Sequence, residues 1–250
     1  MNTTDLVAYL DDYLDIGSVP DYKDAFNGLQ VEGGDTVRRI AVAVDACLAT
    51  IEAAIAGGAQ MMIVHHGLFW GRKAPVTGAY YRRLAALIKH DLSLYSCHIP
   101  LDANPEVGNN RVLARLLGLT VEGTWGDFEG LPIGVWAEAN LTRDDLVARV
   151  REALGVEPLV MPTGPETIRR IGIVTGGAGS MIAQAKAAGC DAFITGEGAH
   201  HTYFDAEEGG INVLYAGHYA TETVGVKALA AHLEQRFGLE IFYIDHPTGL

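Results

Sequence analysis

The feature that most constrains the fold is a restart. Shifted by 131 residues without gaps, 38–63 falls on 169–194 with eight identities in 26 positions. Arg38, Arg39, Ile40, Ile51, Ala54, Ala56, Gly58 and Ile63 meet Arg169, Arg170, Ile171, Ile182, Ala185, Ala187, Gly189 and Ile194. Alanine richness accounts for some of these identities, but the helical segments also start and stop in step. Each copy reads as a β-branched run, an Ala-rich helix ended by glycine, and a second apolar run. That is strand, helix, strand, the unit of a parallel sheet covered on both faces. A second shift, of 120, lays "LYSCHIPLD" (94–102) on "LYAGHYATE" (214–222). Leucine, tyrosine and histidine recur, and Asp102 falls on Glu222. Together the two shifts point to an internal duplication. The expected class is α/β with two similar lobes, 1–125 and 126–250. Each is expected to hold a mainly parallel sheet flanked by helices, with a cleft for a site between them.

Further elements fit this frame. "MNTTDLVAYLDDYLDI" has early acids and no basic segment, so it reads as an amphipathic first helix and not as a signal peptide. Helices are expected over 79–91 and 109–119, and "LSLYSCHIPLDA" (92–103) reads as a strand running into a loop. "LPIGVWAEA" (131–139) reads as a strand. "TRDDLVARVREALG" (142–155) reads as a helix opened by a capping box of Thr142 and Asp145. A strand is expected at 211–215. With 250 residues, 49% of them hydrophobic, there is ample material for a core, and no apolar run approaches a membrane span. Cys47, Cys97 and Cys190 are odd in number and lack metal-binding spacing, which suits a reduced, cytoplasmic setting. A net charge of −13 weighs against general nucleic-acid binding, though not against a small anionic substrate met by bound metal ions.

The chemistry gathers at strand ends. "MMIVHH" (61–66) runs four apolar residues straight into His65 and His66. Ligands of open α/β sheets collect at the carboxyl ends of strands. Asp102 follows the strand at 92–97, and His218 and Glu222 follow the strand at 211–215. His218 and Glu222 are four apart, so on a helix they share a face. A single histidine ending a strand is usually a satisfied polar terminus. His-His after one apolar run and His-x-x-x-Glu after another are less easily explained that way. Adjacent strand residues point to opposite sides, so the pair suits two neighbouring metals better than one. Three imidazoles and two carboxylates suit Zn, Mn, Fe or Co, with positions left for water.

Other polar residues have open roles. His98 aligns with His218 and precedes Asp102 by four; acid/base chemistry, hydrogen-bonding support and structure are all compatible with it. Glu197 falls where His66 lies in the first copy. His200 and His201 are expected to begin a helix. "GGAGS" (176–180) is a weak phosphate-cradle pattern with neither the lysine nor the spacing of a nucleotide loop. "NGLQVEG" (27–33) reads as a tight turn near the cleft.

"NGLQV", "IVHHGLFW", "SCHIPLDA", "ITGEGAHH" and "YAGHYATET" together resemble the GTP cyclohydrolase 1 type 2 family, the NIF-three-like dinuclear-metal proteins, in order and over nearly the whole chain. The resemblance implies two similar lobes, a dinuclear centre and a toroidal homohexamer. It places the metal ligands on His65, His66, Asp102, His218 and Glu222, with Glu222 bridging. It also implies hydrolytic ring opening of a nucleotide by metal-bound hydroxide, with His98 moving a proton. The span 120–168 is too short for the extra domain of longer members, so this is the compact form. The family more often has an Asp–Asn pair directly before the glutamine turn, where this chain reads "DAFNGLQ". The expected function is therefore a dinuclear-metal-dependent hydrolase acting on a small, nucleotide-like substrate. The alternatives are a metal-handling regulatory protein without turnover, and a scaffold.

Overall fold

The computed structural model describes residues 1–71 and 74–249; Leu250, the last residue of the expected second lobe, lies outside them. The elements in chain order begin with α1 (Thr3–Tyr13), β1 (Gly28–Val31), β2 (Arg39–Asp45), α2 (Leu48–Ala56) and β3 (Met61–His66). They continue with α3 (Gly78–Lys89), β4 (Ser93–Ser96), α4 (Ile99–Ala103), α5 (Asn109–Leu116), β5 (Val121–Phe128) and β6 (Leu131–Thr142). Next come α6 (Arg143–Leu154), β7 (Leu159–Pro162), β8 (Thr167–Ile173), α7 (Ile182–Ala187) and β9 (Ala192–Thr195). The chain ends with α8 (Thr202–Gly209), β10 (Asn212–Tyr215), α9 (His218–Phe237) and β11 (Glu240–Tyr243). Two compact units result. One holds 1–107 and 225–246, and the other holds 108–224 with the tail from Pro247.

The first unit carries a five-stranded sheet in the order β1-β4-β3-β2-β11. Strands β4, β3, β2 and β11 run parallel, and β1 adds an antiparallel edge. Met61, Met62, Ile63 and Val64 of β3 are all fully buried, as a central parallel strand covered on both faces requires. Met62, Val64 and Leu94 pack with Ile51 of α2 and Leu87 of α3. Burying each such side chain stabilises the fold by about 1.5–3 kcal/mol. The C-terminus returns to this unit: β11 pairs with β2, and Tyr13 of α1 stacks on His232 of α9 at 4.1 Å between ring centres.

The second unit carries a six-stranded sheet, β5-β6-β8-β9-β10-β7. Its parallel centre is β8-β9-β10, and β5, β6 and β7 add antiparallel neighbours. The expected parallel core is thus present, within a mixed sheet. The duplication reappears in the register. Ile40 pairs with Met61 and Val42 with Ile63, while Ile171 pairs with Ala192 and Ile173 with Ile194. An antiparallel edge strand lies beside β4 in one sheet and beside β10 in the other. One detail differs from the sequence alignment. Ile63 faces Tyr95, but its counterpart Ile194 faces Leu214, one residue before Tyr215. The extra residue is absorbed at Gly217, which has φ +86°, before the histidine.

Three local expectations are settled here. Thr142 and Asp145 form the capping box: the Thr142 hydroxyl accepts from the Asp145 N–H at 3.1 Å, and the Asp145 carboxylate accepts from the Thr142 N–H at 3.2 Å. Thr142→Ala is expected to cost about 1 kcal/mol in urea unfolding. The stretch after β4 is not a loop but the five-residue helix α4, started by Pro100 in its first turn. "NGLQ" is not a tight turn: Gly28–Val31 is the edge strand β1, because its backbone pairs with β4. No helix among the described residues is long and apolar enough to cross a membrane.

Candidate metal and proton-transfer site

In the first unit, β3 delivers His65 and His66 and the β4–α4 junction delivers His98 and Asp102. His65 is completely buried. Its Nδ1 lies 2.9 Å from the Cys97 carbonyl, which only accepts, so Nδ1 carries the proton. Its Nε2 points toward Asp102, with 3.7 Å to Oδ2. His66 Nδ1 meets Asp45 Oδ1 at 2.9 Å; the two residues are directly paired in the β2–β3 register. His98 Nδ1 meets Asp21 Oδ1 at 2.9 Å. The rings of His65, His66 and His98 lie 4.7–5.5 Å apart between centres, and one ligand atom from each falls within 4.8 Å of the others. Burial pushes the Cys97 thiol well up, so it stays protonated and does not act as a thiolate ligand.

Asp21 is the main residue that sequence reasoning missed. Its carboxylate accepts from Asn27 Nδ2 at 2.8 Å, from the Tyr22 N–H at 2.7 Å and from the Ile99 N–H at 3.2 Å, besides meeting His98. Burial alone would raise its pKa, but the His98 hydrogen bond and charge, with the hydrogen bonds from Asn27 and Tyr22, outweigh it and hold the carboxyl below its ordinary range. Asp21 and Asn27, six residues apart in the chain, are thus a hydrogen-bonded Asp–Asn pair. Asn27 also accepts the His98 N–H at 2.7 Å. Gln30 fixes the segment after the histidine pair. Its Oε1 accepts from the Leu68 N–H at 2.7 Å, and a Cβ on Gly67 would sit 2.4 Å from the same amide.

In the second unit, β10 leads into α9, which begins at His218 and carries Glu222 one turn later. His218 Nε2 is 3.1 Å from Glu222 Oε1, and His218 Nδ1 is 2.9 Å from Glu197 Oε1. Glu222 is only 3% exposed. "GGAGS" serves this pair. A Cβ on Gly176, where φ is +70°, would lie 2.2 Å from Glu222 Oε1. The Gly176 N–H is already donated to Thr221. His200 and His201 fall just before α8, which starts at Thr202, as expected.

In the metal-free chain the hydrogen bond to Glu222, opposed by burial and reinforced by the Glu222 and Glu197 charges, raises His218 to about 9. The folded state thus holds this proton more tightly than the unfolded chain, whose histidine titrates near 6.5. The resulting stability is complete below about pH 6.5 and is lost as pH rises through about 9. Metal-stripped protein is expected to lose stability between pH 7 and pH 10 in thermal unfolding, and Glu222→Gln to flatten that loss.

The donor chemistry fits divalent metal. His65, His66 and His218 each have Nδ1 held by an oxygen acceptor, which orients the ring and leaves Nε2 as the donor atom, the usual support of a metal-bound imidazole. Asp102 and Glu222 add carboxylate oxygens beside two of those nitrogens.

These folds and motifs have relatives. Residues 1–249 match the Duf34/NIF3 (NGG1p interacting factor 3) family, and the chain belongs to it. A "GTP cyclohydrolase 1 type 2 homolog" of Deinococcus radiodurans is 46% identical over 98% of this chain and 94% of its own length. Among solved structures, the protein TTHA1606 of Thermus thermophilus is 43% identical, with a TM-score of 0.90 and full coverage of both chains. The structural-genomics protein ybgI, described as of unknown function, is 40% identical with a TM-score of 0.93, again over both full chains.

Proposed function

We propose that the protein is a dinuclear-metal-dependent hydrolase of small, nucleotide-like substrates. His65, His66, Asp102, His218 and Glu222 would hold two divalent ions, Zn, Mn, Fe or Co. The observation that carries this reading is the common fixing of Nδ1 in His65, His66 and His218 by oxygen acceptors, which orients each ring so that Nε2 would be its ligating nitrogen. A carboxylate such as Glu222 is suited to serve both ions. When bound, the ions would supply Lewis-acid polarisation and activation of water. The chain's own contribution to proton movement is His98. Asp21 keeps the proton on Nδ1 and leaves Nε2 to take or give one.

The name carried by the Deinococcus relative supports a guanine nucleotide as the first substrate to try. Protein loaded with Zn, Mn, Fe or Co and incubated with GTP and other small hydrolysable substrates is expected to yield a product. Two ions bound with no product from any of them would favour metal handling without turnover. A homohexamer belongs to the same proposal, and sedimentation equilibrium reads it directly.

A further inference from the structure

We propose that the cavity between the segment after β3 and helix α3 is the ring-binding subsite of this centre, taking a planar aromatic ring that carries an anionic group. This rests on the hydrolase reading and names the substrate class. The cavity measures about 430 Å³, within the range of small-ligand pockets, and is lined by Leu68, Phe69, Trp70, Tyr80 and Arg83. Gly71 and Ala74 complete the lining, so three of its seven residues are aromatic. Phe69 and Tyr80 stand edge to face at 6.4 Å, a geometry that leaves ring surface for a stacked ligand.

The wall is held in place before any ligand arrives. Gln30 Oε1 accepts from the Leu68 N–H, the Phe26 N–H donates to the Phe69 carbonyl at 3.2 Å, and Trp70 Nε1 donates to the Gly67 carbonyl at 3.0 Å. Trp70 also joins cavity and histidines, its ring 5.1 Å from His98 and 6.1 Å from His66. A ring seated here therefore lies beside the residues proposed to act on it.

Charge points to the other half of the ligand. Arg83 follows Tyr80 by three on α3, so both side chains share a face. In a chain with 31 acidic and 18 basic residues, Arg83 makes no ion pair or hydrogen bond with any described residue. A half-buried guanidinium left without an acid, beside an aromatic cavity, suits a phosphate or carboxylate on the ring's substituent.

Binding of GMP, guanosine and phenyl phosphate to the full chain, followed by calorimetry and tryptophan fluorescence, tests this. GMP is expected to bind and quench, with the quench lost in Trp70→Phe. Tyr80→Ala should weaken GMP and guanosine alike by about tenfold; Arg83→Gln should weaken GMP by about tenfold and leave guanosine unchanged. Both variants should keep wild-type metal content and unfolding behaviour. GMP binding far above phenyl phosphate marks a nucleotide as the source of the ring, and equal binding marks a simpler aromatic acid. Either supports the subsite. Binding of GMP that is absent, or unchanged in both variants, overturns it. GMP binding that survives in Glu222→Ala, in a protein that turns nothing over, would leave the subsite standing and the hydrolase reading fallen. Turnover of GTP that ignores both pocket variants would do the reverse.

Discussion

Glu222→Ala is expected to lose both ions, or one and most of the other, while the chain stays folded. The carboxylate is buried in the first turns of α9, 3.1 Å from His218 Nε2, and the bare backbone of Gly176 closes against it. A position so confined, where any Cβ on the opposing residue would collide with the oxygen, serves the carboxylate and not merely packing. If it bridges, its removal deprives both ions of a ligand. Asp102→Ala should mainly empty one, the ion proposed at His65, whose Nε2 the Asp102 carboxylate faces. Glu222→Gln separates lost charge from a cavity, because it keeps the shape. Elemental analysis of protein purified without chelator checks all three. Wild-type content in both alanine variants would mean the ligand assignment is wrong.

His98→Ala is expected to keep the metal and lower kcat by about 10²–10⁴-fold. The side chain is held at both ends. Its backbone N–H is donated to Asn27 and its Nδ1 to Asp21, whose own carboxylate is 6% exposed and accepts three further donors. Asp21 is thus ionised across the working range and sets the tautomer of His98 in the manner of a positioning carboxylate. Asp21→Asn should therefore lower kcat less than His98→Ala and shift the pH profile, with metal content unchanged. Full turnover in His98→Ala would make the residue structural. Loss of metal there would make it a ligand, since its ring nitrogen lies within reach of those of His65 and His66.

The parts of this molecule written in short-range pattern were legible in the sequence. The repeat gave both βαβ units, because strand and helix periods in a buried parallel sheet leave continuous apolar runs. The histidines stood out by ending such runs. What escaped was pairing over distance. Asp21 and His98 are 77 residues apart, and Gln30 and Leu68 are 38 apart. A single sequence carries no signal linking an acid in an irregular loop to a histidine past a strand. Four-residue edge strands escaped for a related reason. β1 looks like a turn because Asn27 and Gly28 open it, and only its partner β4 makes it a strand. Nor did β11 announce that it joins β2, a tertiary choice that local propensity does not encode. Asp45 was a nearer miss: the register that sets it opposite His66 follows from the βαβ unit itself.

The hydrolase proposal requires the protein to hold two metal ions. Metal content per chain, measured by elemental analysis on untagged protein purified without chelator, tests it directly. The expected result is two equivalents, restored after stripping by Zn, Mn, Fe or Co. Substantially less than one equivalent, even after reconstitution, would contradict it, and His65 and His66 would then be no more than the polar end of a buried strand.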